Sequence, residues 1–575
     1  MKIRIMFSLF LCLSAALSNA GEKVLLWPEG KMPNRQAHQI AAMSETVKAP
    51  GFKADENREP FIEWLDTPSD GLKSDACMIL ISGGGYECTC DDWLVRAWHK
   101  RFSELGVRCV NLVYRTPRPH GLKYHETAWA DGQRAVRLVR NSAAKLGFNP
   151  EKIGTMSMSA GSHLATLLAT SSQTSAYERI DEIDDVPCHI NWACTFAIAY
   201  ALTDGLGKPD SRDGDARDVK LDDCFKFDAK TCPMWMSHGG VDIYSPGASI
   251  AVYNKLRTMK IPAELHLFPD RNHGAYGLER AIEFLRQMKF VGTLENEVPL
   301  MGRYPDVAVL PHEKIPLWPE GKMPDRQDAQ CEPYLEWFVP SNLTTRSIQI
   351  IYSGGAYGGN DPNGFEVVPA RNYLNAKGMA VVTMKYRTPR PKNLAKHTTA
   401  WQDLQRAIRI VRRDAGKFGL DGNMIGIMGS SAGGHLTLMG ATSSQRRSYW
   451  GVDDVDKLPC NVQWAVAIYP AYVLTDGENG GNANRGNLET DRLSTDFSFD
   501  LKTPPIFFIH GDSDVYSSMG SVKVWQQLRR MGIQGELHTL ATRHHCFQNK
   551  ASPGTGSYTW LEQIWGFLTD KKFNK

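Results

Sequence analysis

Short apolar runs and longer amphipathic stretches alternate along most of the chain. ACMILIS at Ala76–Ser82 is an unbroken apolar run closed by Gly83-Gly84-Gly85, and VRCVNLVY at Val107–Tyr114 is a second. Runs this short, bounded by turn residues, read as buried strands. TAWADGQRAVRLVRNSAAKLG then shows helical spacing, with Ala128, Ala135, Leu138 and Val139 on one face. KIGTMSM reads as a strand running into the helix SAGSHLATLLAT, and PMWMSHGG and AELHLFPD as later strands. Apolar strands alternating with amphipathic helices predict an α/β fold: a mainly parallel sheet with helices on both faces.

The whole pattern occurs twice. IQIIYSGGAY, AVVTMKY, MIGIMGS, PIFFIHGD and GELHTLAT repeat the strand order further along the chain. LWPEGKMPNRQ at Leu26–Gln36 returns as LWPEGKMPDRQ at Leu317–Gln327. From YRTPRP onward the copies stay 272 residues apart, Tyr114 with Tyr386 and Ala169 with Ala441, so they align without gaps over a long stretch. The period is far too long for a solenoid repeat, and each unit is a whole domain. The expected organisation is an export signal at 1–20, a first domain at 21–291, a linker at 292–314 and a second domain at 315–575.

Composition narrows the picture mainly by exclusion. At 42% hydrophobic and 22% charged the chain is ordinary for a globular protein, and a net charge of +3 over 575 residues makes no case for a nucleic-acid partner. Lys2 and Arg4, the apolar run from Ile5 to about Leu17 and the small residues Ser18-Asn19-Ala20 read as a cleavable signal, which predicts a secreted or periplasmic protein with no membrane span in its mature form. Loss of Cys12 with that signal leaves eleven cysteines. Export permits disulfides, with Cys224–Cys232 one local pair, although sequence does not fix pairing. The CTC at Cys88–Cys90 lacks the second pair that a zinc site wants, so metal binding there is not expected.

The chemistry lies in GIMGSSAGGHLTLMG, Gly426–Gly440, whose centre fits G-x-S-x-G around Ser431. A strand, a sharp turn and a helix in that order expose a serine hydroxyl at a helix N-terminus. The earlier copy, GTMSMSAGSHLATLLA, keeps Ser159 but has Ser157 for the first motif glycine and Ser162 in place of Gly434. Ser157 raises the expectation of a strained residue at positive φ. A nucleophilic serine needs a base, and the base an orienting carboxylate. Asp514 follows the strand FFIHGD, and His544 and His545 follow ELHTLAT; the first unit offers Asp242 and His273. Serine to aspartate is 83 residues and aspartate to histidine 31 in both units, which selects His545 over His544 and Asp514 over Asp512. Backbone donors for an oxyanion are expected from Ala432, Gly355 and Ala356 in one unit and from Ala160, Gly84 and Gly85 in the other. His238 and His510 read as strand-end packing, and Trp129 and Trp401 as core. Tyr114, Tyr386, Arg115 and Arg387 are either substrate contacts or structural. The dissimilar segments Thr203–Asp228 and Thr475–Asp500 are where two like scaffolds would differ in specificity.

The combination SGGAY, YRTPRP, GSSAGGHL, HGDSD and HH resembles the α/β-hydrolase esterases that include bacterial acetyl-esterase and feruloyl-esterase-like carbohydrate esterases. That resemblance implies Ser431, Asp514 and His545, and Ser159, Asp242 and His273, as catalytic triads. It also implies an acylated saccharide or other small ester as substrate, with no metal or organic cofactor. Two other readings stay open. One is a serine exopeptidase of the prolyl-oligopeptidase type, whose propeller would show as blade repeats that are absent here. The other is a single active esterase domain, the second, fused to a degenerate binding or scaffold domain.

Overall fold

The computed structural model describes residues 21–35, 59–67, 71–203, 220–292, 309–312, 314–475, 492–541, 544–550 and 560–574. The expected signal at 1–20, most of the linker and the centres of the two dissimilar segments lie outside these residues.

In the first unit the sheet strands are β1 (Lys23–Leu25), β2 (Phe61–Trp64), β3 (Cys77–Ile81), β4 (Arg108–Val113), β5 (Ile153–Met158), β6 (Trp192–Phe196), β7 (Met234–Gly239) and β8 (Ala263–Phe268). The helices are α1 (Arg96–Glu104), α2 (Glu126–Asn141), α3 (Ala160–Thr170), α4 (Gly247–Thr258) and α5 (Leu278–Gln287), with a single helical turn at Ala143–Leu146. The second unit repeats them as β9 (Lys314–Pro316), β10 (Tyr334–Phe338), β11 (Ile348–Tyr352), β12 (Ala380–Lys385), β13 (Ile425–Ser430), β14 (Trp464–Ile468), β15 (Ile506–Gly511) and β16 (Gly535–Leu540). Its helices are α6 (Val368–Ala376), α7 (Thr398–Asp414), α8 (Ala432–Thr442), α9 (Met519–Arg530) and α10 (Trp560–Asp570). Among the described residues no helix is long and apolar enough to cross a membrane.

Each half-sheet runs in the order 1-2-4-3-5-6-7-8 or its counterpart, with the first two pairings antiparallel and the rest parallel. The central strands are buried on both faces, which is why they read as continuous apolar runs rather than alternating ones. The crossover from β3 through α1 to β4 and the return to β5 put the serine turn at the middle of the sheet, where strand order reverses.

The two halves are one sheet. β8 pairs antiparallel with β16, His266 opposite His538 and Leu267 opposite Leu537, giving sixteen continuous strands. The seam is close to two-fold. Arg257 donates to the Asp512 carbonyl at 3.0 Å and Arg529 to the Gly240 carbonyl at 3.0 Å, and Tyr253 meets Ser518 at 2.8 Å. Each half covers the strand edge that the other would leave open.

The repeated motifs that carry no chemistry form a buried brace. Trp27 Nε1 donates to Asp131 at 2.7 Å, and Arg115 pairs with the same carboxylate at 2.8 Å. Trp318, Arg387 and Asp403 repeat this at 2.7 and 2.9 Å. Arg115 and Arg387 are thus structural: a buried guanidinium must be paired, and these two join the LWPEG segment to the YRTPRP loop and to α2 or α7. Trp129 and Trp401 are buried, as expected. Cys224 and Cys232 are separate buried thiols rather than a disulfide, and Cys224 Sγ lies 4.0 Å from His163 Nε2.

Candidate active site

Ser431 caps α8 with φ 56° and ψ −120°, and Ser159 caps α3 with φ 59° and ψ −124°. Positive φ at a non-glycine residue costs energy and persists only where surroundings enforce it. Here the enforcement is visible. A Cβ on Gly433 would sit 2.6 Å from the Ser353 carbonyl, and one on Gly161 would sit 2.4 Å from that of Ser82. The helix therefore starts hard against the glycine loop. Across the turn, a Cβ on Gly354 would lie 2.6 Å from Ser431 Cβ, and one on Gly83 would lie 2.8 Å from Ser159 Cβ.

The strained residue is the nucleophile-position serine, not Ser157. Ser157 lies within β5, opposite Ile81, and its Oγ donates to the Cys194 carbonyl at 3.1 Å and meets Ser162 Oγ at 3.2 Å. Ser162 Oγ in turn donates to the Phe196 carbonyl at 2.9 Å. In the second unit the same cross-strand pair is Gly429 opposite Tyr352, whose hydroxyl bonds Thr437 at 2.8 Å. The first unit has Ala165 where the second has Thr437. The two turns are alternative packings of one space: a large Tyr with Gly, or a smaller Ile with Ser.

In the second unit the serine, the histidine and the aspartate are joined. His545 Nε2 lies 2.8 Å from Ser431 Oγ, and His545 Nδ1 lies 2.9 Å from both Asp514 oxygens. Burial by itself would raise the Asp514 carboxyl. Hydrogen bonds from His510 and His545 outweigh it and hold the group at about 2, so it stays a carboxylate. Asp512 points elsewhere, accepting the Ala263 N–H across the seam at 3.2 Å, and His544 faces the Ser513 carbonyl at 3.1 Å. In the first unit His273 Nδ1 lies 3.0 and 2.9 Å from the Asp242 oxygens, while among the described hydrogen bonds none joins His273 to Ser159. Both line one cavity of about 560 Å³ with Gly83, Gly84, Gly85 and Tyr244. His238 is packed at its strand end, against Ser249 at 2.9 Å and the Tyr244 carbonyl at 3.0 Å; His510 repeats this with Ser521 and Tyr516.

Ala432 and Ala160 are first residues of their helices, where backbone N–H groups have no intrahelical acceptor. Gly355 and Ala356 have φ 97° and 54°, and Gly84 and Gly85 have φ 133° and 66°, so both loops turn their backbone beside the serine. Tyr386 braces this loop, its single hydroxyl proton shared between the Ser353 and Gly354 carbonyls at 3.0 and 2.9 Å, and Tyr114 donates to the Ser82 carbonyl at 3.0 Å. The second arginine of YRTPRP also touches it: Arg118 Nε donates to the Gly85 carbonyl at 3.0 Å and Arg390 Nε to that of Ala356 at 2.7 Å.

Two groups at the site escaped the sequence reading. Tyr244 and Tyr516 stand two residues after their aspartates, donate their N–H to them at 2.8 Å and pack on His273 and His545. The repeated D-x-Y was visible in both units. Glu366, buried and accepting from the Gly354 N–H at 2.7 Å, carried no such signal.

A serine turn on each of two parallel half-sheets, with a histidine–aspartate pair beside it, defines a tandem α/β-hydrolase protein. Residues 65–204 and 335–527, more than half of the chain, match the BD-FAE family, and the chain belongs to it. It is 35% identical over 109 residues to an acetylxylan esterase of Xylanibacter ruminicola, covering 19% of this chain and 21% of that one. It is 27% identical over 216 residues to endo-1,4-beta-xylanase B of Butyrivibrio fibrisolvens, covering 36% and 33%. It is 26% identical over 236 residues to LipM, a probable carboxylic ester hydrolase of Mycobacterium tuberculosis, covering 37% and 52%. The chain thus spans about half or less of the length of these relatives. Among solved structures, an acetyl ester-xyloside bifunctional hydrolase from Caldicellulosiruptor lactoaceticus aligns with a TM-score of 0.38 at 24% identity, over 46% of this chain and 99% of that one.

Proposed function

We propose that the chain is an exported carboxylic ester hydrolase with two serine sites, removing acetyl or other acyl groups from plant-type polysaccharides or oligosaccharides. The observation that carries this is the unbroken contact from Ser431 Oγ through His545 to the Asp514 carboxylate. His545 Nε2 takes the Ser431 proton as Oγ attacks the ester carbonyl, and Asp514 holds the ring and balances its charge. The oxyanion meets N–H groups of Ala432 and of the Gly355–Ala356 loop. The alcohol leaves with the proton from His545. Water, deprotonated by the same ring, then releases the acid and restores Ser431.

The saccharide assignment rests on the xylan-related names of the relatives and on the mouth of the first site. There Trp93, 56% exposed, lines the cavity beside Ile243, 61% exposed, offering an apolar face to a sugar or aromatic acyl group. In the first unit Ser159, Asp242 and His273 take the same roles, with His273 closing on Ser159 when substrate is bound; catalytic contacts are often looser in a free enzyme. The N-terminal signal pattern supports export.

The test is hydrolysis of acetylated and feruloylated xylo-oligosaccharides by the wild type, Ser159→Ala, Ser431→Ala and the double variant. Activity in both single variants and none in the double is expected. Loss of all activity in Ser431→Ala alone, across the substrate panel, would reduce the first domain to a scaffold. Cleavage of aminoacyl substrates without ester hydrolysis would favour the exopeptidase.

A further inference from the structure

We propose that the first domain holds a divalent transition-metal ion, of the zinc class, on His125, His163 and Cys224. His125 immediately precedes α2, His163 is on α3 four residues after Ser159, and Cys224 lies on the segment returning toward β7. One ligand atom of each lies within 4.8 Å of the others, and all three residues are buried. Cys224 Sγ is 4.0 Å from His163 Nε2. Tetrahedral zinc with two nitrogens near 2.0 Å and a sulfur near 2.3 Å needs donor separations of roughly 3.3–3.6 Å, so about an ångström of side-chain closure completes the set.

Three observations point to an ion rather than to packing. First, His125 is 2% exposed, and its Nδ1 has no hydrogen-bond partner; a buried imidazole nitrogen left so is costly unless something fills the place it faces. Second, His163 is oriented as metal-binding imidazoles are. Its Nδ1 is held by the Tyr86 hydroxyl at 2.8 Å, and its Nε2 faces Cys224 Sγ at 4.0 Å with the Tyr124 hydroxyl 3.5 Å away, a long contact that an ion would replace. Third, Asp222 stands beside the thiol, accepting the Cys224 N–H at 2.8 Å and lying 4.0 Å from the half-exposed Lys123. A thiolate and a nearby carboxylate together offset a divalent charge, and the fourth ligand is water.

The second domain is a built-in comparison. His397 and His435 occupy the equivalent places, but Asp496 replaces Cys224 and Ser494 replaces Asp222. There His435 Nε2 already pairs with Asp496 at 3.2 Å, and the same carboxylate lies 3.6 Å from His397 Nδ1, which like His125 Nδ1 has no hydrogen-bond partner. The difference between the domains is therefore the third group: a carboxylate bonded to one imidazole in the second, a thiol with no such bond in the first. Binding releases the thiol proton of Cys224 to solvent, and the imidazoles bind as neutral ligands. The ion would tie α2, the serine helix and the segment after residue 219 together beneath the site.

The experiment is metal analysis of the full-length chain, loaded with zinc under reducing conditions and dialysed, followed by exchange with cobalt. One retained equivalent is expected, lost in Cys224→Ser and in His125→Phe but kept in Asp496→Asn. The cobalt form should show a thiolate-to-cobalt charge-transfer band that Cys224→Ser lacks. The cobalt spectrum of the wild type needs no variant and so stands if a variant fails to fold. No retained metal, a cobalt spectrum without the thiolate band, or retention that depends on Asp496 rather than Cys224 overturns the proposal and leaves a buried thiol–imidazole cluster.

Discussion

Placing a side chain at Gly429 probes whether the two serine turns are alternative packings of one space. A Cβ there would lie 2.5 Å from the Gly433 carbonyl oxygen and 2.6 Å from Tyr352 Cε2. Both distances are far inside van der Waals contact, and one partner is backbone at the start of the serine helix. Gly429→Ser should therefore destabilise the second domain by about 1–3 kcal/mol through overpacking. At roughly 2–4 °C per kcal/mol for a domain of this size, its unfolding transition should fall by several degrees. Tyr352→Ile in the same chain recreates the cross-strand pair of the first domain, Ile81 with Ser157. It should recover about half of that loss, the rest reflecting the Thr437 hydroxyl deprived of its partner and the Gly433 backbone. Differential scanning calorimetry gives the transition, and ester turnover in a Ser159→Ala background isolates the second site. If Gly429→Ser unfolds at the wild-type temperature and turns over normally, or if Tyr352→Ile makes it worse, the packing argument is wrong.

The remaining expectations concern the histidines, the carboxylates and the mouth of the first cavity. In the Ser159→Ala background, His545→Ala should cut turnover by roughly 10⁴–10⁶-fold, while His544→Ala, facing only the Ser513 carbonyl, should change it little; equal losses would reassign the base. Asp514→Asn should lower kcat by about 10⁴-fold with KM nearly unchanged, since the amide cannot hold the imidazolium; stopped-assay kinetics separate the two. Burial raises the Asp512 carboxyl from 3.8 to about 6, so the native state keeps a proton that the unfolded chain has lost. Stability should fall as pH rises from about 4 to about 6, by at most about 3 kcal/mol. Asp514 has the opposite sign, held at about 2, and its contribution is present above about 4 and lost as pH falls toward 2. Melting temperatures from pH 2 to 8 should thus show two windows, and Asp512→Asn should flatten only the upper one. Trp93→Ala should raise KM for acylated oligosaccharides several-fold in a Ser431→Ala background without changing kcat; an unchanged KM would remove Trp93 from the binding surface.

Local signals made much of this legible. Continuous apolar runs are what strands buried on both faces must look like, so the parallel sheet could be read directly. The constant spacing between copies did the rest, because two residues that keep the same separation from Ser159 and Ser431 are under the same geometric demand. That spacing selects His545 over His544, and His545 Nε2 is the nitrogen that lies 2.8 Å from Ser431 Oγ. Where the reading left alternatives, the missing information was spatial. Whether Arg115 meets a substrate or Asp131 depends on a helix packed over its loop. Whether Ser157 strains the turn depends on Ile81, a neighbour on another strand.

By itself, then, the sequence determined the duplication, the α/β alternation, the order and spacing of serine, aspartate and histidine, and the glycine loop beside them, since each is written in residues near in sequence or repeated at a fixed offset. Tertiary structure alone decided the rest. It joined β8 to β16 into one sheet, because edge strands pair by backbone hydrogen bonds that no side-chain pattern announces. It also gathered His125, His163 and Cys224, and set Glu366 under Gly354, through contacts between segments that folding alone brings together.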